Sequence, residues 1–213
     1  MREILTAVED PSVKAWQQFR SSLNGVRVLQ GSILEVSCDV VFSPANSLDF
    51  MDGWIDALYL DQFGPEIPLC VRRAIYDYRH DEVVVGEAEI VKTGHRAIPY
   101  LKAAPTMSVP MILRETVNTY LAPRAALLLV LHGVFRDSMH RRQPVAEDVE
   151  TVAFRGLGIG VGRLSATSRA RQMRAALDNV FLGTYTMPRS WDEAHERHQV
   201  LYTDRLCRLH YEA

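Results

Sequence analysis

At 213 residues and 47% apolar composition, the chain is long enough for one domain with a full core and too short for two ordinary domains without a visible linker. Its 24 lysines and arginines stand against 26 aspartates and glutamates, a net charge of -2, so no basic excess makes nucleic acid a default partner, although RHDE and HRRQ leave room for a local patch. Cys38, Cys70 and Cys207 are odd in number and far apart, which argues for reduced thiols in a cytosolic protein and against a disulfide frame or a cysteine metal site.

The first ten residues carry Arg2, Glu3, Glu9 and Asp10 and no apolar run that would make a secretory leader; no membrane-spanning run follows, so a cytoplasmic location is expected. Ser12 to Leu23 reads as an amphipathic helix with Val13, Trp16, Phe19 and Leu23 on one face, covering a sheet edge with Trp16 in the core. Asn24-Gly25 makes a turn into VRVLQ (26–30), the first clear strand. Asp39 to Phe42 is a short apolar strand, and a helix from about Gly53 to Phe63 carries Ile55, Leu58, Tyr59 and Phe63 before Gly64-Pro65 ends it. A second helix, Glu66 to Arg79, presents Ile67, Val71, Ile75 and Tyr78, and RHDE (79–82) is a solvated turn. Strands are expected over 86–92 and 100–104, then a helix from Arg114 to Phe135 broken or kinked at Pro123. His132, in the apolar half of that helix, reads as a satisfied or snorkelling side chain. After a polar loop (138–148), Thr151 to Phe154 is another apolar strand and 166–181 a helix. The segment from Pro188 is helical, with Ser190 as N-cap and Glu193 completing a capping box.

Two strand–loop–helix units stand out. Between Ser43 and Gly53 the chain supplies Pro44, Asn46, Ser47, Asp49, Asp52 and Gly53, so a polar loop runs from a strand's carboxyl end to a helix's amino end. In open α/β sheets ligands bind there, because the helix N-terminus offers unpaired N–H groups and partial positive charge to an anion. The second unit, RGLGIGVGRLS (155–165), has Gly156, Gly158, Gly160 and Gly162 at every second position, where backbone N–H groups can close on a phosphate without Cβ atoms in the way. A glycine-rich loop alone also fits a plain turn. The pair together suggests a diphosphate gripped from two sides.

These residues resemble the macro domain family, whose members bind ADP-ribose and in some branches remove it from proteins, nucleic acids or small esters. Ser43-Pro44-Ala45-Asn46, then SLDFMDGW, then Ile55-Asp56 stand where the family has Asn-Ala-Ala-Asn, a glycine run and Val/Ile-Asp, and Gly156 to Gly162 match its second loop. PYLKAAPTMSVP (99–110) and SWDEAHERHQVLY (190–202) are similar to a bacterial subgroup. The resemblance implies a three-layer α/β/α sandwich with a central mixed sheet, as one domain over 1–213, its N-terminal helix (within 1–25) packed on the sheet and a C-terminal helix within 188–213. It implies ADP-ribose or an ADP-ribosylated macromolecule as ligand, no cofactor and no metal. The implied ligand-binding residues are Ser32, Ile33, Ala45, Asn46, Gly53, Trp54, Gly158, Ile159, Gly160, Val161 and Gly162. In the hydrolytic branches it implies that Asn46 orients the distal ribose and Asp56 positions or activates the attacking water; Asp56 also fits an ordinary carboxylate at a helix start.

Ser32 stands where the family's Gly-Asp-Ile has its adenine-binding aspartate; it reads equally as a turn or cap residue. Ser43 replaces the motif's first Asn, and Met51, Asp52 and Trp54 stand where glycines are common. Other chemistries find little support: there is no GxxxxGK[ST], no GxSxG, no HExxH around His195 and His198, and the glycine spacing is not G-x-G-x-x-G. Two readings stay open: an ADP-ribose site, as reader or hydrolase, and a macro-fold interaction module or binder of another nucleotide whose pocket is non-catalytic.

Overall fold

The computed structural model describes residues 1–19, 23–44, 46–48, 50, 54–137 and 142–207, with the backbone but not the side chains of Trp54 and Asp56. Short, mostly apolar segments make the strands: β1 (Arg2–Ala7), β2 (Val26–Gln30), β3 (Val40–Ser43), β4 (Glu89–Lys92), β5 (Tyr100–Ala103) and β6 (Thr151–Arg155). They form one sheet in the order β2-β1-β6-β3-β5-β4, parallel throughout except for the β4–β5 pair. Parallel neighbours need crossover connections, and helices supply most of them: α1 (Asp10–Phe19), α2 (Trp54–Phe63), α3 (Ile67–Arg79), α4 (Asn118–His132) and α5 (Ala166–Phe181), with α6 (Trp191–Gln199) following.

Alternation along the strands separates the layers. In β3, Val40 and Phe42 join a core with Trp16 of α1, Ala126 of α4 and Leu177 of α5. Val41 faces the opposite way, into a core with Tyr59 of α2 and Val71 and Ile75 of α3. Helices α1, α4 and α5 therefore cover one face and α2 and α3 the other. This is the expected α/β/α sandwich around a mixed sheet.

Several local expectations shift. Residues 2–7, which precede the expected N-terminal helix, form β1, hydrogen-bonded in the sheet between β2 and β6. Its outer end is charged and its burial comes from β2 and β6 on either side, which hid the strand from its own pattern. Helix α1 is offset to Asp10–Phe19 and lies over β1 and β2, with Trp16 only 4% exposed. Helix α4 starts at Asn118 rather than Arg114 and runs through Pro123 to His132. Pro123 forfeits one helix hydrogen bond, and burial of Ala122, Ala125, Ala126 and Leu127 holds the helix through it. His132 is exposed at its end. Arg79 is not solvated: it reaches back to Glu87 at 3.2 Å and Glu89 at 2.8 Å, while the turn beyond it passes through left-handed His80 and Asp81.

Two charges lie inside the α4 face of the sheet. Lys102 of β5 is fully buried, donates to the Ala126 carbonyl at 2.8 Å and sits over the Phe154 ring. Burial lowers its pKa to about 7, opposed by the Glu3 charge. Burial raises Glu3 of β1 to about 8, opposed by Lys102 and the N-terminus. Cys38 is also buried, which pushes its thiol up to about 12, and all three cysteines are free. No helix among the described residues is long and apolar enough to cross a membrane.

Candidate functional site

Strands β3 and β6 are direct parallel neighbours, registered through Val40–Val152 and Val41–Ala153, so their carboxyl ends open on the same side of the sheet. The chain leaving β3 enters α2 on one face; the chain leaving β6 enters α5 on the other. The two outgoing loops part at this point, and in open α/β sheets the space above strand ends where connections part is the usual ligand position, here called the crevice. The structure thus brings both sequence-identified loops to one place.

The loop after β6 is shaped by backbone contacts that side chains would obstruct. Gly158 has φ +64°, and a Cβ on Gly162 would lie 2.9 Å from the Gly158 backbone. The Leu164 N–H donates to the Gly158 carbonyl at 2.9 Å, and the Arg163 N–H to that of Gly160 at 3.2 Å. Arg163, also left-handed at φ 49°, follows the second of these turns. Gly156 leaves room for the Ile159 side chain, whose Cδ1 folds back onto the place a Gly156 Cβ would occupy. Gly160 has nothing within 4 Å of its would-be Cβ, and Gly160 and Val161 are exposed. Beyond the loop, Ser165 caps α5 by accepting from the Ser168 N–H at 3.1 Å, leaving the helix's positive end beside the glycines.

The loop after β3 is shaped by one side chain. Asn46 Oδ1 accepts from the N–H groups of Leu48 at 3.1 Å and Phe50 at 3.2 Å, and its Nδ2 donates to the Phe50 carbonyl at 3.0 Å. The amide is a scaffold for the turn that precedes α2. Ser43, in the place of the motif's first Asn, is buried at the end of β3, its carbonyl accepting from the Ala104 N–H at 3.1 Å. Asp56 belongs to the first turn of α2 and Trp54 opens that helix, but both side chains lie outside the described atoms, as do Ala45, Asp49, Met51, Asp52 and Gly53 altogether.

Ser32 and Ile33 stand after β2, on the far side of β1 from β6. Ser32 Oγ accepts from the Leu34 N–H at 3.2 Å, and Glu35 reaches back to the Ser32 N–H at 3.3 Å, a capping box for a single 3-10 turn. Ile33 is 3% exposed and packs in the core with Val41 and Tyr59.

The segment after β5, for which the sequence suggests only a likeness, has a structural role. It stitches the two loops together. Asn46 and Met107 form an isolated parallel bridge, with the Ser47 N–H donating to the Met107 carbonyl at 3.1 Å. Farther on, the Leu113 N–H donates to the Gly162 carbonyl at 2.9 Å. Asn118, first residue of α4, donates to the Thr106 carbonyl at 2.8 Å, and Gln172 of α5 bonds the Thr119 hydroxyl and, at 2.8 Å, the Thr116 carbonyl. The sequence signal was the cluster of polar residues, Thr106, Ser108, Thr116, Asn118 and Thr119, between two apolar elements. Among the described residues no group of three His, Cys, Asp or Glu side chains is placed to hold a metal ion.

No protein-family model matches the chain. Among curated proteins, an uncharacterized protein of Aquifex aeolicus is 30% identical over 148 residues, covering 70% of this chain and 78% of that protein. An uncharacterized protein of Aeropyrum pernix is 31% identical over 156 residues, 71% of each. Among solved structures, the macrodomain of Mycobacterium tuberculosis DarG is similar with a TM-score of 0.54 at 17% identity, covering 70% of this chain and 87% of that one. A mutant Oceanobacillus iheyensis macrodomain with ADPR gives a TM-score of 0.56 at 17% identity, covering 73% and 77%. The chain therefore has the macrodomain fold and belongs to one family with these uncharacterized Aquifex and Aeropyrum proteins.

Proposed function

We propose that the crevice between the β3 and β6 loops binds ADP-ribose, free or attached to a macromolecule. The observation that carries this reading is the pair of loops leaving neighbouring strands toward opposite faces, one of them a glycine loop whose Gly160 edge is open. Support comes from the O. iheyensis macrodomain with ADPR, which shares the fold. On this reading the 156–162 backbone and the α5 N-terminus hold the diphosphate, and Ala45, Gly53 and Trp54 are the further ligand-binding positions that the likeness implies. Asn46 sets the loop against which that ribose rests.

Hydrolysis of the ADP-ribosyl linkage is the finer part of the proposal. A carboxylate in the first turn of α2, Asp56, accepts a proton from the water attacking the anomeric carbon; the bond from that carbon to the target breaks, the target's atom leaves with the electron pair and takes a proton from solvent, and the bound diphosphate fixes the carbon in place. Calorimetric titration with ADP-ribose, ADP and AMP tests binding: heat that requires the distal ribose is expected. Loss of de-ADP-ribosylation in Asp56→Ala, with ADP-ribose affinity retained, is the expected result for hydrolysis.

One observation favours the second reading, a macro-fold interaction module or a binder of another nucleotide. The Ser32 hydroxyl caps a 3-10 turn and carries no charge, so it is a weaker acceptor for an adenine amino group than an aspartate. Equal affinity for ADP-ribose and its inosine counterpart, or no heat with any of the three nucleotides, would select that reading.

A further inference from the structure

A half-open pocket of about 520 Å³ lies away from the crevice, bounded by α4, α5, the link between α5 and α6, and α6 itself. Its size falls in the range of small-molecule sites, far above that of a structural water. Leu121, Ala175, Val200 and Leu201 make an apolar wall. The polar groups converging on it are Tyr120, Arg124, Asn179, Tyr185, Arg197 and His198.

These polar groups are biased toward one charge. Among the described lining residues none is acidic. Arg197 is neutralised by Glu193 and anchored on the Thr186 carbonyl. Arg124 is different: among the described residues no carboxylate pairs with it, and its guanidinium lies over the Tyr185 ring, 5.8 Å from the centroid. A guanidinium stacked on a ring keeps its N–H edge for a planar oxyanion. Asn179 Nδ2 donates to the Tyr120 hydroxyl at 2.9 Å, and Thr184 donates to Asn179 Oδ1 at 3.1 Å, so the amide is held in one orientation and the phenol proton is directed elsewhere. One cation and one hydroxyl donor thus meet above an apolar wall.

We infer that this cavity is a second ligand site, for an organic anion with a flat apolar body, whose carboxylate or phosphate is taken by Arg124 and Tyr120 and whose ring lies against Leu121 and Leu201. The inference is independent of the crevice and of what binds there.

The test is titration of the full chain with 1-naphthyl phosphate and 1-naphthoate, with neutral 1-naphthol as control, in wild type, Arg124→Gln, Arg124→Lys, Leu201→Trp and Gly160→Glu. The expected result is one-site saturation by at least one of the two anions below about 5 mM, a fragment-like affinity. That binding weakens at least tenfold in Arg124→Gln and in the cavity-filling Leu201→Trp, recovers in part in Arg124→Lys, and is unchanged in Gly160→Glu, whose substitution lies in the crevice. Which anion binds tells a phosphate site from a carboxylate site. Saturation by neither anion, equal binding of naphthol, or undiminished binding in a folded Arg124→Gln protein would overturn the inference.

Discussion

The two loops that frame the crevice reach their shapes by opposite means. The β6 loop is built from missing side chains: Gly158 and Gly162 touch backbone to backbone, and a Cβ at Gly162 has no room. The β3 loop is built from a side chain that is present, the Asn46 amide bonded to the Leu48 and Phe50 backbone. One loop therefore tolerates change where it faces solvent and breaks where it folds on itself. The other depends on a single residue that must serve the loop's geometry before it can serve a ligand. The shared clamp, the 107–113 segment, ties both to one frame.

Substitutions can separate these two modes. The largest effect is expected from Gly160→Glu: the position has open space and an ordinary backbone angle, so melting temperature stays near wild type while a carboxylate enters the diphosphate side of the crevice. ADP-ribose affinity should fall at least about 100-fold, about 2.7 kcal/mol. Two residues on, Gly162→Ala should reverse that pattern, losing about 1–3 kcal/mol of stability in a denaturant titration because its methyl meets the Gly158 backbone. If both variants lose stability equally, the distinction between the open and the folded edge of this loop is wrong. Asn46→Ala removes three hydrogen bonds from an outer loop. An affinity loss of about tenfold is expected, with less than about 1.5 kcal/mol lost in stability.

Glu3→Gln is the control, since it alters the sheet interior under neither loop. The folded pKa of Glu3 is about 8 against an ordinary 4.5, so the folded state keeps a proton that the unfolded chain releases. This contribution is fully present below pH 4.5 and is lost as pH rises through 8. Lys102, at about 7 against 10.5, acts in the other direction: the unfolded chain holds the extra proton between those values, so stability returns as pH climbs from 7 toward 10.5. Wild-type melting temperature should therefore sag near pH 7 to 8, and Glu3→Gln should remove the fall on the acid side while leaving ADP-ribose affinity unchanged.

The same contrast explains what could be read in advance. Glycines at alternate positions announce a loop with close backbone contacts, and short apolar runs such as Val40 to Phe42, within the strand expected over Asp39 to Phe42, announce buried parallel strands, so the layers and the second loop were legible. The capping serines were legible too: Ser190 accepts from the Glu193 N–H at 3.2 Å. Strand β1 was not, because its burial comes from two neighbours distant in sequence, β2 and β6, and not from its own alternation. A break at Pro123 did not follow, because tertiary packing outweighs one lost helix bond. The stitching role of Thr106 to Leu113 was hidden for the same reason: its partners, Asn46, Asn118 and Gly162, are set by the sheet order. Nor does composition separate a catalytic Asn46 from one that shapes its loop.

Hydrogen–deuterium exchange of the full chain with and without saturating ADP-ribose tests the central claim most directly. The account predicts slowed exchange in both the 46–50 and the 156–164 loops, with α6 unaffected. Protection of one loop alone, protection confined to the cavity beside α6, or no change anywhere would contradict a ligand held from two sides in this crevice.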